Sequence, residues 1–174
     1  PGELMELAAD LGSDVPFFLS PSPLALAWGR GNRIAPLPAL PSAPVVVAFP
    51  PLGVETPRAY ALLAQHREEV HVQAPLGLVS PAELSSWEGV EAFAFNDFEV
   101  PVFSAHPLLG RLKTALRETG PRFSLLSGSG SALFSVYRRP GEGELALPRL
   151  QEAFPETRFV LTRTLERMPE PASS

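Results

Sequence analysis

Four prolines fall within nine residues, at Pro36, Pro38, Pro41 and Pro44. A proline lacks the backbone N–H and fixes φ, so this stretch forms neither a helix nor a central strand. It reads as a stiff linker that splits the chain into two unequal parts. After it, Val45 to Phe49 is a continuous apolar, β-branched run, the pattern of a strand buried on both faces. Pro50-Pro51-Leu52-Gly53 breaks it. Thr56-Pro57 opens a helix, with Thr as N-cap and Pro at the first helical position, and the pattern runs to about His66.

Residues 67–80 are weakly patterned and read as loop. Ser80-Pro81 to Trp87 reads as a short helix, and Ala94 to Glu99 leads into a brief apolar segment. Pro107 to Thr119 is amphipathic through Leu108, Leu109, Leu112, Ala115 and Leu116. Strands are expected at Phe123 to Leu126, Leu133 to Tyr137 and Arg158 to Thr164, with a helix over Leu145 to Phe154. The order from residue 45 is strand, helical segment, strand, strand, helix, strand. This is an α+β chain with the split βαβ, ferredoxin-like arrangement, an antiparallel sheet with helices on one face.

Before the linker, Leu4, Leu7, Ala8 and Leu11 recur at helical spacing, so a helix spans Gly2 to Leu11 and stops at Gly12, a residue type that tolerates the left-handed conformation. Residues 24–29 and Arg33 to Leu37 form a hairpin around Gly29-Arg30-Gly31-Asn32. The expected domains are 1–41, 42–168 and a tail at 169–174.

The totals exclude several functions. The net charge is −5 with no basic stripe, which argues against nucleic-acid and anionic-membrane binding. There is no cysteine, hence no disulfide or thiolate chemistry. No apolar run reaches membrane-spanning length, and the expectation is a cytoplasmic protein. Lys113 is the only lysine, asparagine occurs only at Asn32 and Asn96, and there are 21 prolines, a composition that suits a thermophile. High-GC codon usage gives the same preference for arginine. The chain starts at Pro1 without an initiator methionine, and the expectation is that a longer protein has been cut.

Two stretches carry the chemistry. In Leu11-Gly12-Ser13-Asp14-Val15-Pro16-Phe17-Phe18, a lone carboxylate stands between a helix end and an apolar run expected to be buried. A catalytic carboxylate needs such backing, since misplacement by about an ångström costs roughly a hundredfold in rate. The same Asp before Pro also suits a plain turn cap. In Ser127-Gly128-Ser129-Gly130-Ser131, two glycines between strands let amides and hydroxyls approach an anion, or simply supply the positive φ of a hairpin turn. No Lys follows the glycines, so this is not a Walker loop, and a strand follows where a dinucleotide fingerprint needs a helix.

Thr56 sits at the positive end of a helix dipole, where anions bind. Tyr60, one turn on, packs in the core or offers its ring to a planar base. Asn96-Asp97 suits helix-cap chemistry. His66, His71 and His106 lack metal-ligand spacing and read as surface residues, so no metal site is expected in the chain. No serine lies in a nucleophile-elbow sequence, which removes a Ser-His-Asp triad.

The Leu11–Phe18 stretch, Gly29-Arg30-Gly31, Asn96-Asp97-Phe98-Glu99, and the serine-glycine loop with Phe134 occur in the order seen in GHMP small-molecule kinases, which the chain resembles over residues 1 to about 138. The nearest branch is the one acting in the non-mevalonate isoprenoid pathway. The resemblance implies an ATP-dependent kinase that phosphorylates a hydroxyl of a cytidine-diphosphate methylerythritol, with Mg2+ held mainly by the ATP. By position Asp14 matches the catalytic aspartate, which orients the acceptor hydroxyl and takes its proton. A carboxylate is ionised at neutral pH, as a base must be. Thr56 and Tyr60 match substrate-lining positions, Tyr60 stacking on the cytosine. Ser127, Gly128, Ser129, Gly130 and Ser131 match the motif that supports the phosphates.

The family's glycine-rich ATP loop and amino-terminal catalytic lysine have no match in residues 1–174, and both are expected before Pro1. Lys113, mid-helix, is no substitute. Asn32 stands where an acidic residue usually follows the Gly-Arg-Gly turn. The reading is a carboxy-terminal kinase portion, inactive alone. Its rivals are a non-catalytic ferredoxin-like binding module and a GHMP kinase for another small alcohol.

Overall fold

A computed structural model describes residues 2–29, 31, 33–70 and 80–169. The chain divides into two compact units, one of residues 1–42, 78–90 and 165–174, the other of residues 43–77 and 91–164. The expected tail beyond Pro169 and the expected loop over residues 71–79 lie outside the described residues.

The larger unit holds a four-stranded sheet. Its strands are β3 (Pro44–Phe49), β4 (Phe123–Leu126), β5 (Leu133–Val136) and β6 (Arg158–Arg163), in the spatial order β4-β5-β3-β6. Every neighbouring pair is antiparallel. β3 and β4 are joined through helices yet separated by β5, which is the split βαβ order. β3 is central, with Val46 opposite Ser135 on one side and Leu161 on the other. Its β-branched run is therefore buried at Val45, Val46 and Ala48, as read from the sequence.

The helices of this unit are α2 (Thr56–Val70), α4 (Glu99–Ala105), α5 (Pro107–Glu118) and α6 (Glu142–Ala153). α5 packs on β4 and β5, α6 on β3 and β6, and α2 on α4. One core joins Val46, Ala48, Val102, Leu109, Leu112, Leu116, Leu133 and Leu150. Gly143 brings α6 close to the sheet, since a Cβ there would stand 3.1 Å from Leu161 and 3.2 Å from Val46. Two polar pairs sit in this apolar setting. Ser124 and Ser135, directly opposite on β4 and β5, share a hydroxyl–hydroxyl hydrogen bond of 2.8 Å. The Tyr137 hydroxyl bonds Thr119 Oγ1 at 2.7 Å, and burial pushes its phenol up against the lowering effect of the Thr119 and Ser135 hydrogen bonds.

The smaller unit contains α1 (Gly2–Leu11), a 3-10 turn over Val15–Leu19, and the hairpin of β1 (Ala25–Trp28) and β2 (Arg33–Pro36). It also holds a 3-10 turn over Glu83–Ser85. α3 (Trp87–Phe93) begins in this unit and ends in the other.

Four boundaries differ from the sequence reading. α2 continues one turn past His66, where Gln65 donates to Glu69 four residues on at 2.9 Å. Ser80 Oγ accepts the Ala82 N–H but caps no helix: only the short 3-10 turn follows, with Ala82 as its N-cap, and α3 begins one turn later, where Ser86 Oγ accepts the Gly89 N–H. The apolar segment after Glu99 is helix α4. Its Val-Pro-Val run looks extended, but Pro101 lies in the first turn, where no intrahelical N–H is required. α6 starts at Glu142 rather than Leu145, and the Glu142 carboxylate accepts the Arg138 and Arg139 amides.

No helix among the described residues is long and apolar enough to cross a membrane.

Candidate functional site

Asp14 stands between the end of α1 and the Val15–Leu19 turn. Its backbone is helical (φ −93°, ψ −11°), and its carbonyl accepts the Phe17 N–H at 3.2 Å. Its side chain makes no capping bond to that turn, so the plain cap role open to this residue is not the one it plays. The carboxylate is exposed. Gly31, at φ +93°, lies against it: a Cβ there would sit 3.4 Å from both Asp14 Oδ1 and Ser13 O. The hairpin turn thus gives the carboxylate a wall of bare backbone, a closeness that neither stretch announces by itself.

The expected apolar anchor is only partly present. Pro16 is buried and Phe17 half-buried, but Phe18 is 69% exposed and Leu19 41%. A 3-10 turn repeats every three residues, so five consecutive apolar side chains cannot share one face. The two phenylalanine rings meet edge to face at 5.6 Å. Nor is Gly12 in the left-handed region. A Cβ there would meet Val15 at 3.4 Å, an ordinary contact, so neither φ nor space demands glycine at this position.

In the larger unit, the Ser127–Ser131 loop joins β4 to β5. The Ser127 N–H donates to the Ala132 carbonyl at 2.8 Å, and the Gly130 N–H to the Ser127 carbonyl at 2.9 Å. Gly128 (φ +55°) and Gly130 (φ +98°) need the freedom that only glycine has. Thr56 is the first residue of α2 rather than its N-cap, the Ala59 N–H donating to the Glu55 carbonyl at 3.0 Å, and its hydroxyl meets that of Ser129 at 3.1 Å. Ser131 Oγ donates to the Leu52 carbonyl at 2.5 Å. Two regions predicted from sequence, Thr56 and the loop, are therefore brought together.

Tyr60 is 60% exposed and meets Phe98 edge to face at 5.0 Å. It borders a cleft of about 550 Å³ shared with Phe95, Asn96, Ser127 and Gly128. Arg67 and Asp97, both half exposed, form a 2.7 Å ion pair at this cleft. Asn96 and Glu99 bond the backbone of the incoming strand end, at Leu126 and Gly128. The helix-cap reading of Asn96 missed this role, which the plain Asn-Asp-Phe-Glu string does not signal. Lys113 is engaged by Glu99. His66 and His106 are half-buried, and His71 lies outside the described residues. Among the described residues no cluster of three or more His, Asp or Glu could hold a metal.

Residues 80–156 match the family model "GHMP kinases C terminal". The chain is a relative of the GHMP kinases. It is 37% identical over 169 residues to 4-diphosphocytidyl-2-C-methyl-D-erythritol kinase of Synechococcus sp. (strain JA-3-3Ab), covering 93% of this chain and 54% of that protein. It is 39% identical over 155 residues to the kinase of the same name from Pelodictyon phaeoclathratiforme, covering 88% and 53%. A crystal structure of 4-(cytidine 5'-diphospho)-2C-methyl-D-erythritol kinase superposes with a TM-score of 0.66 at 34% identity, over 91% of this chain and 56% of that one. The chain therefore spans about half the length of the curated relatives it matches.

Proposed function

We propose that this chain is part of an ATP-dependent kinase that phosphorylates a hydroxyl of 4-diphosphocytidyl-2-C-methyl-D-erythritol. The observation that carries the reading is the likeness to kinases of that name over 93% of the chain, at an identity of 37%. The geometry agrees with it at three points. Asp14 offers an exposed carboxylate with no capping duty and a glycine wall beside it. Thr56 and Ser129 present hydroxyls side by side at the first turn of α2. Tyr60 is largely exposed, which leaves its ring open to a planar base, and Phe98 meets it at nearly a right angle.

Phosphoryl transfer depends mainly on positioning and charge. Asp14 would orient the acceptor hydroxyl and take its proton as the oxygen attacks phosphorus. Thr56 and Tyr60 would line the substrate site, Tyr60 stacking on the cytosine. Ser127 to Ser131 would brace the phosphates with hydroxyls and amides, and the polar loop, with glycines at positive φ, fits an anion of that kind. ATP supplies the phosphoryl group, with Mg2+ carried on its phosphates.

The test is Asp14→Asn in the complete gene product, assayed with ATP and the cytidine-diphosphate alcohol. Turnover is expected to fall about 10²–10⁴-fold, the usual worth of a general base, with little change in KM for the alcohol. Near-normal turnover would remove the base role. Activity on a different alcohol alone would overturn the substrate assignment.

A further inference from the structure

The side chain of Asn96 works in two directions. Its Oδ1 accepts the Phe98 N–H at 2.9 Å, an Asx turn ahead of α4 rather than the helix cap expected from sequence, since the N-cap of α4 is Phe98 and no side chain caps it. Its Nδ2 points the other way and donates to the Leu126 and Gly128 carbonyls, each at 2.8 Å. A carboxamide nitrogen has two protons, and both are used here. The assignment of oxygen and nitrogen follows from the partners: swapping them would set oxygen against two carbonyls and nitrogen against an N–H. Three residues on, Glu99 Oε1 accepts the Leu126 N–H at 2.8 Å and also pairs with Lys113. Leu126 is thus held at its amide and its carbonyl by side chains from one short turn. Ser127 is bracketed by the two carbonyls that Asn96 binds.

We infer that Asn96 is a positioning residue for the Ser127–Ser131 loop, fixing the backbone on both sides of Ser127 so that the rest of the loop is presented to the phosphates. The inference rests on the phosphate role proposed for the loop. Asparagine suits the task because it carries one acceptor and two donors on a short stem. Aspartate keeps the acceptor and loses both donors, and alanine loses everything.

That difference supplies the test, run on the complete gene product. Asn96→Asp retains the turn at Phe98 but sets a carboxylate against two carbonyls. Both Asn96→Ala and Asn96→Asp are expected to lose about 10- to 100-fold in kcat/KM for ATP, the scale of a small misplacement at the reacting centre, while KM for the alcohol stays put. Amide exchange over residues 126–131 is expected to rise at least roughly fivefold, the equivalent of one lost neutral hydrogen bond where each variant loses two or more.

If Asn96→Asp behaves like the parent, Asn96 only closes the turn at Phe98 and the inference fails. It fails as well if both variants keep parental ATP kinetics, if ATP and alcohol parameters fall together, or if neither variant folds. Should Asn96→Ala alone fail to fold, Asn96→Asp carries the test. Gly130→Ala separates the inference from its foundation, because it strains the loop from the far end, with a Cβ 3.1 Å from Leu126 at φ +98°. Unchanged ATP kinetics there would remove the phosphate role of the loop, and the Asn96 inference with it. Impaired ATP kinetics in Gly130→Ala beside parental Asn96 variants would remove the Asn96 inference alone.

Discussion

Leu7 and Leu112 occupy equivalent places in two amphipathic helices, yet Leu7 on α1 is 61% exposed and Leu112 on α5 is wholly buried. The same holds around them. Leu4 and Leu11 flank Leu7 on an exposed stripe, while Leu109 and Leu116 flank Leu112 in the core. Periodicity of 3.6 residues says which side of a helix is apolar; it does not say what covers that side. The larger unit closes its own core. The smaller one buries Ala8, Pro16, Leu37 and Leu40 but leaves Leu4, Leu7, Leu11, Phe18 and Trp28 largely open.

This contrast can be tested in order of expected size. Leu112→Ala is expected to cost about 2–5 kcal/mol, the range for a large-to-small change in a packed core, measured by urea unfolding. A cost below about 1 kcal/mol would mean that the larger unit is loosely packed.

Tyr137→Phe is expected to cost about 1 kcal/mol through loss of the Thr119 hydrogen bond. It also has a pH signature. The phenol is raised in the fold, chiefly by burial, so the folded chain keeps this proton after the unfolded chain has begun to lose it. The stabilisation is intact below the ordinary tyrosine value of about 10 and fades as pH climbs through the raised native value. The gap between parent and variant should therefore narrow in urea titrations above that pH. A gap that widens would contradict the burial argument.

Leu7→Ala in the 174-residue chain is expected to change stability by no more than about 0.5 kcal/mol, as for other exposed sites. A cost near that of Leu112→Ala would show that the α1 stripe is covered by something.

The sequence made the larger unit legible because its signals were redundant. Val45 to Phe49 could only be a buried strand, and Pro107 to Thr119 carried five apolar residues on one face. Helix α4 was hidden because a β-branched run with a proline in it resembles an extended segment. At the site, the glycines of the 127–131 loop were visible as breakers. The long-range partners were not: Leu52 lies 79 residues from Ser131 and Asn96 lies 32 from Gly128, distances over which no local pattern operates. Phe18 departs from the expected burial because apolar character alone does not guarantee a cover, as the exposed Leu7 also shows.

The hydroxyl pair of Ser124 and Ser135 has a consequence for the loop that separates them. If β5 slid by one residue against β4, each serine would turn to the other face and lose its mate. Two hydroxyls would then need new partners, at about 1–3 kcal/mol for each one left dry. Leucine or valine in their places would tolerate such a slide far better. A matched pair of small polar groups thus acts as an alignment pin for the two strands from which the glycine turn is hung.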